Sequence, residues 1–327
     1  MKLAFDGYAA WRWLAAALLG CSAHVQAQAP AQAPENCPPV ATPFTQEEMQ
    51  AGLRSARDRG FLWRITRDGR SSWLYGTVHA AKRDWMFPGP KVTQALRASD
   101  TIALELDMQN PEIGRRLGAG MAAQRSAPLP EPLRQRLLRL AEAECIPAQM
   151  LAPLSPEMQV ATLAVLAARR DGIDPSYGID AVLGGFGRGT GKPVLSLETP
   201  EQQLQVLQMP SAQETLNFVE SGIKDLESGR ARPLVLRLTQ VWADADLDTL
   251  AAYASWCDCL TTEVDRAQQA RLLDARNPPL ADAIAALHHA GKNVFAAVGS
   301  LHMIGPLGLP ELMTQRGFTV EWVRFSP

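Results

Sequence analysis

Two histidines recur in one local setting, far apart in the chain. His79 closes Gly76-Thr77-Val78-His79 within WLYGTVHAAK, and His302 closes Gly299-Ser300-Leu301-His302 within VFAAVGSLHMIG. Each motif ends an apolar run, and the chain spends only five histidines in 327 residues. In an open α/β sheet, residues just past the carboxyl ends of strands line the crevice where ligands bind, and glycine there permits close approach. His79 and His302 are therefore expected at the same edge of one sheet. Glu105 in ALELD is a third candidate, because a carboxylate interrupting an apolar strand is costly to bury unless it pairs, accepts hydrogen bonds or binds a cation. Two imidazoles and a carboxylate form the ligand set of an open catalytic metal site that keeps a position for water.

The neighbouring polar residues have plainer readings. Asp107 would share a face with Glu105, but it follows the last apolar residue of the run and can reach solvent more easily. His288 and His289 sit in the last turn before Gly291, where the helix dipole favours cationic side chains. Ser300 lies in no nucleophile elbow, so a serine hydrolase built on it with His302 is a weak reading and packing is the expected role.

The elements that must position these residues follow from pattern. A helix is expected over Thr45 to Arg57, opened by the capping box in TQEE. FLWRIT (Phe61 to Thr66) and SWLYGTV (Ser72 to Val78) flank Asp68-Gly69, a strong hairpin signal. A helical segment around Val92 to Ala98 then precedes TIALEL (Thr101 to Leu106), as in a parallel crossover unit. From Pro111 to about Arg170 the chain reads as helices, with Ser155 as a cap and Pro156 first in its helix, an insertion placed as a cap beside the sheet. KPVLSLE (Lys192 to Glu198) is a buried strand running straight into the capping box of Thr199, Pro200 and Gln202. A long helical region, an amphipathic helix ending at Gly291, the apolar strand NVFAAVG (Asn293 to Gly299) and a last strand, FTVEWVRF (Phe318 to Phe325), complete an α/β domain with a central, mostly parallel mixed sheet and flanking helices.

Composition narrows the function. With 46% hydrophobic and 20% charged residues the chain is an ordinary globular sequence, and its net charge of −2 gives no footprint for nucleic acid. A peptide or small molecule is the expected partner. The first 27 residues read as a secretory signal, with Lys2 and Arg12 before a short apolar segment and cleavage after Ala27. Residues 28–44 form a Pro/Ala/Gln-rich linker and residues 45–327 the α/β domain. LLGC at Cys21 loosely resembles a lipoprotein cleavage box, but the soluble exported form, periplasmic or secreted, is favoured. The remaining cysteines, Cys37, Cys145, Cys257 and Cys259, fit two disulfides of an oxidising compartment; Cys257 and Cys259 are close enough in sequence that distant partners are expected for them.

Taken together, WLYGTVHAAK, ALELD, YGIDAVL, KPVLSLETPEQQL, RNPPLADAI and FAAVGSLHMIGPLGL resemble the TraB/GumN family, related to the Tiki metalloproteases and more distantly to erythromycin esterase-like and ChaN-like proteins. The resemblance runs from about Arg59 to Val323. It implies an α/β fold with a pseudo-duplicated core and, through the Tiki branch, divalent-metal-dependent peptide hydrolysis, with His79, Glu105 and His302 as the functional positions. Mn²⁺ or Co²⁺ is the favoured ion, with Zn²⁺ also compatible. Arg276, in the Arg-Asn pair the family places before a helix, reads either as a group holding a substrate carboxylate or oxyanion or as a buried salt bridge. Tyr177 and Asp180 in SYGID could shape the pocket, with helix capping the expected role of Asp180. Glu198, at a strand end, is either a support for the site or a helix-start carboxylate. The competing reading is a non-catalytic periplasmic protein holding a metal, or haem non-covalently, since the chain has no C-x-x-C-H attachment motif.

Overall fold

The computed structural model describes residues 37–123 and 128–325. The signal segment, Cys21 and the linker up to residue 36 lie outside the described residues. Six strands make one sheet: β1 (Phe61–Arg67), β2 (Arg70–Thr77), β3 (Thr101–Leu104), β4 (Val194–Ser196), β5 (Val294–Gly299) and β6 (Thr319–Trp322). Their order is β4-β3-β5-β2-β1-β6. β4, β3, β5 and β2 run parallel, and β1 pairs antiparallel with both β2 and β6. The parallel part therefore carries four carboxyl ends on one edge.

Local chemistry accounts for each element. Asp68 (φ 51°) and Gly69 (φ 70°) make the two-residue β1–β2 turn, the left-handed pair that matches the twist of a hairpin. β5 is buried from Val294 to Val298, as expected for a central parallel strand covered on both faces. Helix Pro90–Ala98 links β2 to β3, crossing over β5. Both capping boxes form, Thr45 with Glu48 and Thr199 with Gln202. Ser155 does not cap with its side chain: its buried hydroxyl has no partner, and helix Pro156–Leu166 begins on the preset backbone of Pro156 instead.

The helical insertion has a core of its own. Leu137, Leu151, Val160 and Leu163 bury against Val219 and Ile223 of the helix Ala212–Glu227, apart from the cluster around the sheet. The described end of the expected linker is not a free tether, because Cys37 is disulfide-bonded to Cys145 and the Phe44 ring packs 4.9 Å from Phe87.

Cys257 and Cys259 are bonded to each other, contrary to the expectation of distant partners. Asp258 at φ 51° turns the chain back, bringing the two Cα atoms to 5.1 Å, within ordinary disulfide reach. The two bridges differ in what they can do for stability. Closing the 108-residue separation of Cys37 and Cys145 removes loop entropy worth about 5 kcal/mol. Closing a separation of 2 residues removes roughly 1.5 kcal/mol on the same reckoning.

Cys145→Ser should therefore lower stability by about 2–5 kcal/mol, measured by urea unfolding of the oxidised protein. An unchanged midpoint would show that tying down Cys37 contributes nothing.

Candidate functional site

The four parallel strands deliver four side chains to one edge. His79 follows β2, Glu105 follows β3, Glu198 follows β4 and His302 follows β5 in the short turn Ser300–Met303. Glu105 is one residue past its strand rather than within it, which lets its carboxylate turn toward β5. Gly299 lies between them: a Cβ there would sit 3.3 Å from Glu105 Oε1, 3.6 Å from His302 Cδ2 and 3.7 Å from His79 Nε2. Its N–H donates to Glu105 Oε1 at 2.7 Å. The two Gly-x-x-His motifs are neighbours, with Thr77 paired to Gly299 in register. Ser300 Oγ donates to the Thr77 carbonyl at 2.8 Å, so the hydroxyl ties one motif to the other. Trp242 Nε1 donates to the Gly76 carbonyl at 2.8 Å from below.

Each histidine is oriented through Nδ1. His302 is buried, and its Nδ1–H donates to Asn277 Oδ1 at 2.5 Å. The Asn277 amide is itself fixed, because Nδ2 donates to the Leu307 carbonyl at 2.8 Å and so leaves Oδ1 as the acceptor. Nε2 of His302 is then a lone pair facing the site. Burial is the main cause that pulls the His302 imidazole down to about 4, with Arg276 and His79 adding to it and Glu105 opposing. His79 Nδ1 donates to Asp180 Oδ2 at 2.8 Å, while Asp180 Oδ1 accepts from Thr77 Oγ1 at 2.8 Å. The Asp180 charge is the first cause that pushes His79 up to about 9. The His79 side chain is 66% exposed, so solvent screens that pair and it adds little to stability.

Arg276 occupies the centre of charge. Its guanidinium bridges Glu105, through Nη2 to Oε2 at 2.5 Å, and Glu198, through Nε to Oε1 at 2.9 Å. Its Nη1 donates to His302 Nε2 at 3.2 Å. All three side chains of the ion pair are nearly buried, at 12% exposure for Arg276 and 8% for each carboxylate. Burial would raise Glu105, but His302, His79, Arg276 and the Gly299 N–H outweigh it and hold the carboxyl at about 2.

Other expected residues fall elsewhere. Asp107 does not reach solvent: it is 6% exposed and paired with Arg188, with burial pushing its carboxyl up. Tyr177 is buried in the main core. Asp180 is in the first turn of helix Ile179–Gly189, whose cap position is Gly178, so its carboxylate orients His79 instead of capping. His288 is no exposed dipole partner. It is fully buried, accepting from Ser72 Oγ at 2.9 Å and donating to the Arg67 carbonyl at 3.1 Å, and burial pulls it below its usual value. His289 stacks on Phe318. Asn277 was not anticipated as the group that holds His302; its one sequence signal is its place beside Arg276 at the start of helix Asn277–His289.

The donor set suits a divalent ion in kind: two imidazoles with Nδ1 engaged and Nε2 turned inward, beside one carboxylate. As folded, no group of three His, Cys, Asp or Glu among the described residues is arranged to hold an ion. In this arrangement the Arg276 guanidinium covers Glu105 Oε2 and His302 Nε2.

Residues 61–322 match the protein-family model described as the TraB/PrgY/gumN family. No curated protein and no solved structure matches the chain.

Arg276→Met would leave two buried carboxylates without their cation, a loss of about 3–5 kcal/mol by urea unfolding, with part recovered in Arg276→Met/Glu198→Gln. A loss below about 1 kcal/mol would show that the pair is solvated in the folded protein. A second expectation concerns acid. His302 titrates near 6.5 in an unfolded chain and about 4 in the fold, so the stability gained by keeping it neutral is complete above pH 6.5 and is lost as pH falls to 4. In chelator-treated protein the stability advantage of wild type over His302→Gln should shrink across that interval, and a flat difference would refute the depressed value.

Proposed function

Because the chain belongs to the TraB/PrgY/gumN family, we propose that it is an exported metal-dependent hydrolase acting on peptide bonds. The observation that carries this reading is the convergence of His79 Nε2, His302 and Glu105 around Gly299, with each imidazole held through Nδ1 by a dedicated partner. Carboxylate or amide partners behind histidine are the usual support of metal ligands, because they fix both tautomer and ring direction.

His79, His302 and Glu105 would hold the ion, Mn²⁺ or Co²⁺ by preference and Zn²⁺ by compatible ligand chemistry. When bound, such an ion acidifies a water and polarises a carbonyl. The protein's own residues supply the rest. Asn277 keeps His302 aimed inward, and burial keeps it neutral. Arg276 must withdraw from Glu105 and His302, and Glu198 gives it an anchor that remains. Released from Glu105, its guanidinium N–H groups are free to face a substrate carboxylate or a developing oxyanion. The backbone at Gly178 packs closely behind His79, since a Cβ on Gly178 would meet the His79 carbonyl at 2.7 Å. Export is supported by the two disulfides, which fit an oxidising compartment.

Calorimetric titration of Mn²⁺ and Co²⁺ into metal-stripped protein is expected to show one site, lost in folded His79→Ala and His302→Ala, and a peptide-library screen should show cleavage lost with it. Wild-type protein that binds neither ion would overturn the metal reading; binding without cleavage of any peptide would overturn the hydrolase.

A further inference from the structure

The Cys257–Cys259 bridge closes on a single intervening residue and contributes little to stability compared with Cys37–Cys145. Its surroundings are asymmetric in a way that favours opening. Cys257 is buried, whereas Cys259 is partly exposed beside the exposed Asp258. The Cys259 N–H donates to Cys257 Sγ at 3.2 Å, and the Tyr253 hydroxyl lies 3.3 Å from Cys259 Sγ, where it can donate. Each sulfur thus has a donor ready to stabilise it as thiolate. Asp258, at φ 51° in the left-handed region that Asp tolerates, makes the turn that closes the small ring. The bridge sits in the loop between the short helix Tyr253–Trp256 and the helix Glu263–Leu272, outside both hydrophobic clusters, although Cys257 itself is buried.

We propose that Cys257-Asp258-Cys259 is a thiol–disulfide exchange site whose substrate is a dithiol in another polypeptide. One substrate thiolate attacks Cys259 Sγ, the accessible sulfur. The Cys257–Cys259 bond breaks, its electron pair passing to Cys257 Sγ, and the Cys259 N–H donates to the resulting thiolate. The second substrate thiolate then attacks the substrate sulfur of the mixed disulfide and expels Cys259 as thiolate. The substrate is oxidised by two electrons to a disulfide, and Cys257 and Cys259 are reduced, taking up the two protons that the substrate thiols lost. The reverse sequence reduces a substrate disulfide. Cys37–Cys145, by contrast, is a structural bridge.

The full-length oxidised chain would be equilibrated in glutathione redox buffers, its thiols trapped by alkylation and each bridge quantified by mass spectrometry. Cys257–Cys259 is expected to open at a reducing strength on the order of 100-fold weaker than Cys37–Cys145 requires, with the native circular dichroism retained. A synthetic Cys-x-x-Cys peptide should be oxidised at one equivalent per chain, and Cys257→Ser should abolish this. Two results would overturn the proposal: co-reduction of both bridges in one step, or peptide oxidation that survives Cys257→Ser. The wild-type titration tests the proposal even if the variant folds poorly.

Discussion

A carboxylate in the interior of a folded chain must be compensated, and the carboxyl edge of this sheet is organised around that requirement. Glu105 is buried where the parallel strands end, and it accepts from the Gly299 N–H and from Arg276. Arg276 is shared with Glu198, so one guanidinium serves two carboxylates that arrive from adjacent strands. Removing any member would leave charge in a low-dielectric setting, where the desolvation cost exceeds what a surface pair could return.

Sheet topology decides which residues can meet. Inserting β5 between β3 and β2 places the second Gly-x-x-His motif beside the first, although 223 positions separate the two histidines in sequence. The one-residue offset of register, with Thr77 opposite Gly299, is what lets Ser300 reach back to the Thr77 carbonyl. A Cβ on Gly299 would press on Glu105 Oε1 at 3.3 Å, with His302 and His79 at ordinary contact distance around it. The same rule of satisfied burial runs through the rest of the domain: Trp242 answers the Gly76 carbonyl, and His288 links Ser72 to the Arg67 carbonyl.

The two disulfides divide labour along similar physical lines. The long bridge restrains the unfolded chain and fastens the segment before the first helix to the helical insertion. The short one, closing a separation of 2 residues, restrains the unfolded chain far less.

Much of this was legible from local pattern. Asp68-Gly69 specified the hairpin turn, the uninterrupted apolar run of β5 specified a covered central strand, and the two capping boxes marked helix starts to the residue. The sequence also singled out His79, Glu105 and His302, because a repeated motif and an acidic residue in an apolar run are visible without a fold. What it could not determine were partners fixed by distance in space. Asp107 and Glu105 look alike in sequence, yet one meets Arg188 and the other Arg276. His288 looked like a dipole partner until burial against Ser72 decided otherwise. Asp180 looked like a cap until the turn at Gly178 aimed it at His79. Asn277 carried no signal beyond its place beside Arg276, since an amide that orients a histidine 25 residues away has no local spacing to betray it. Residue type and period set which elements form; only the packing of those elements sets which charges share a site, because electrostatic pairing depends on separation in space and burial, and neither is written in the order of residues.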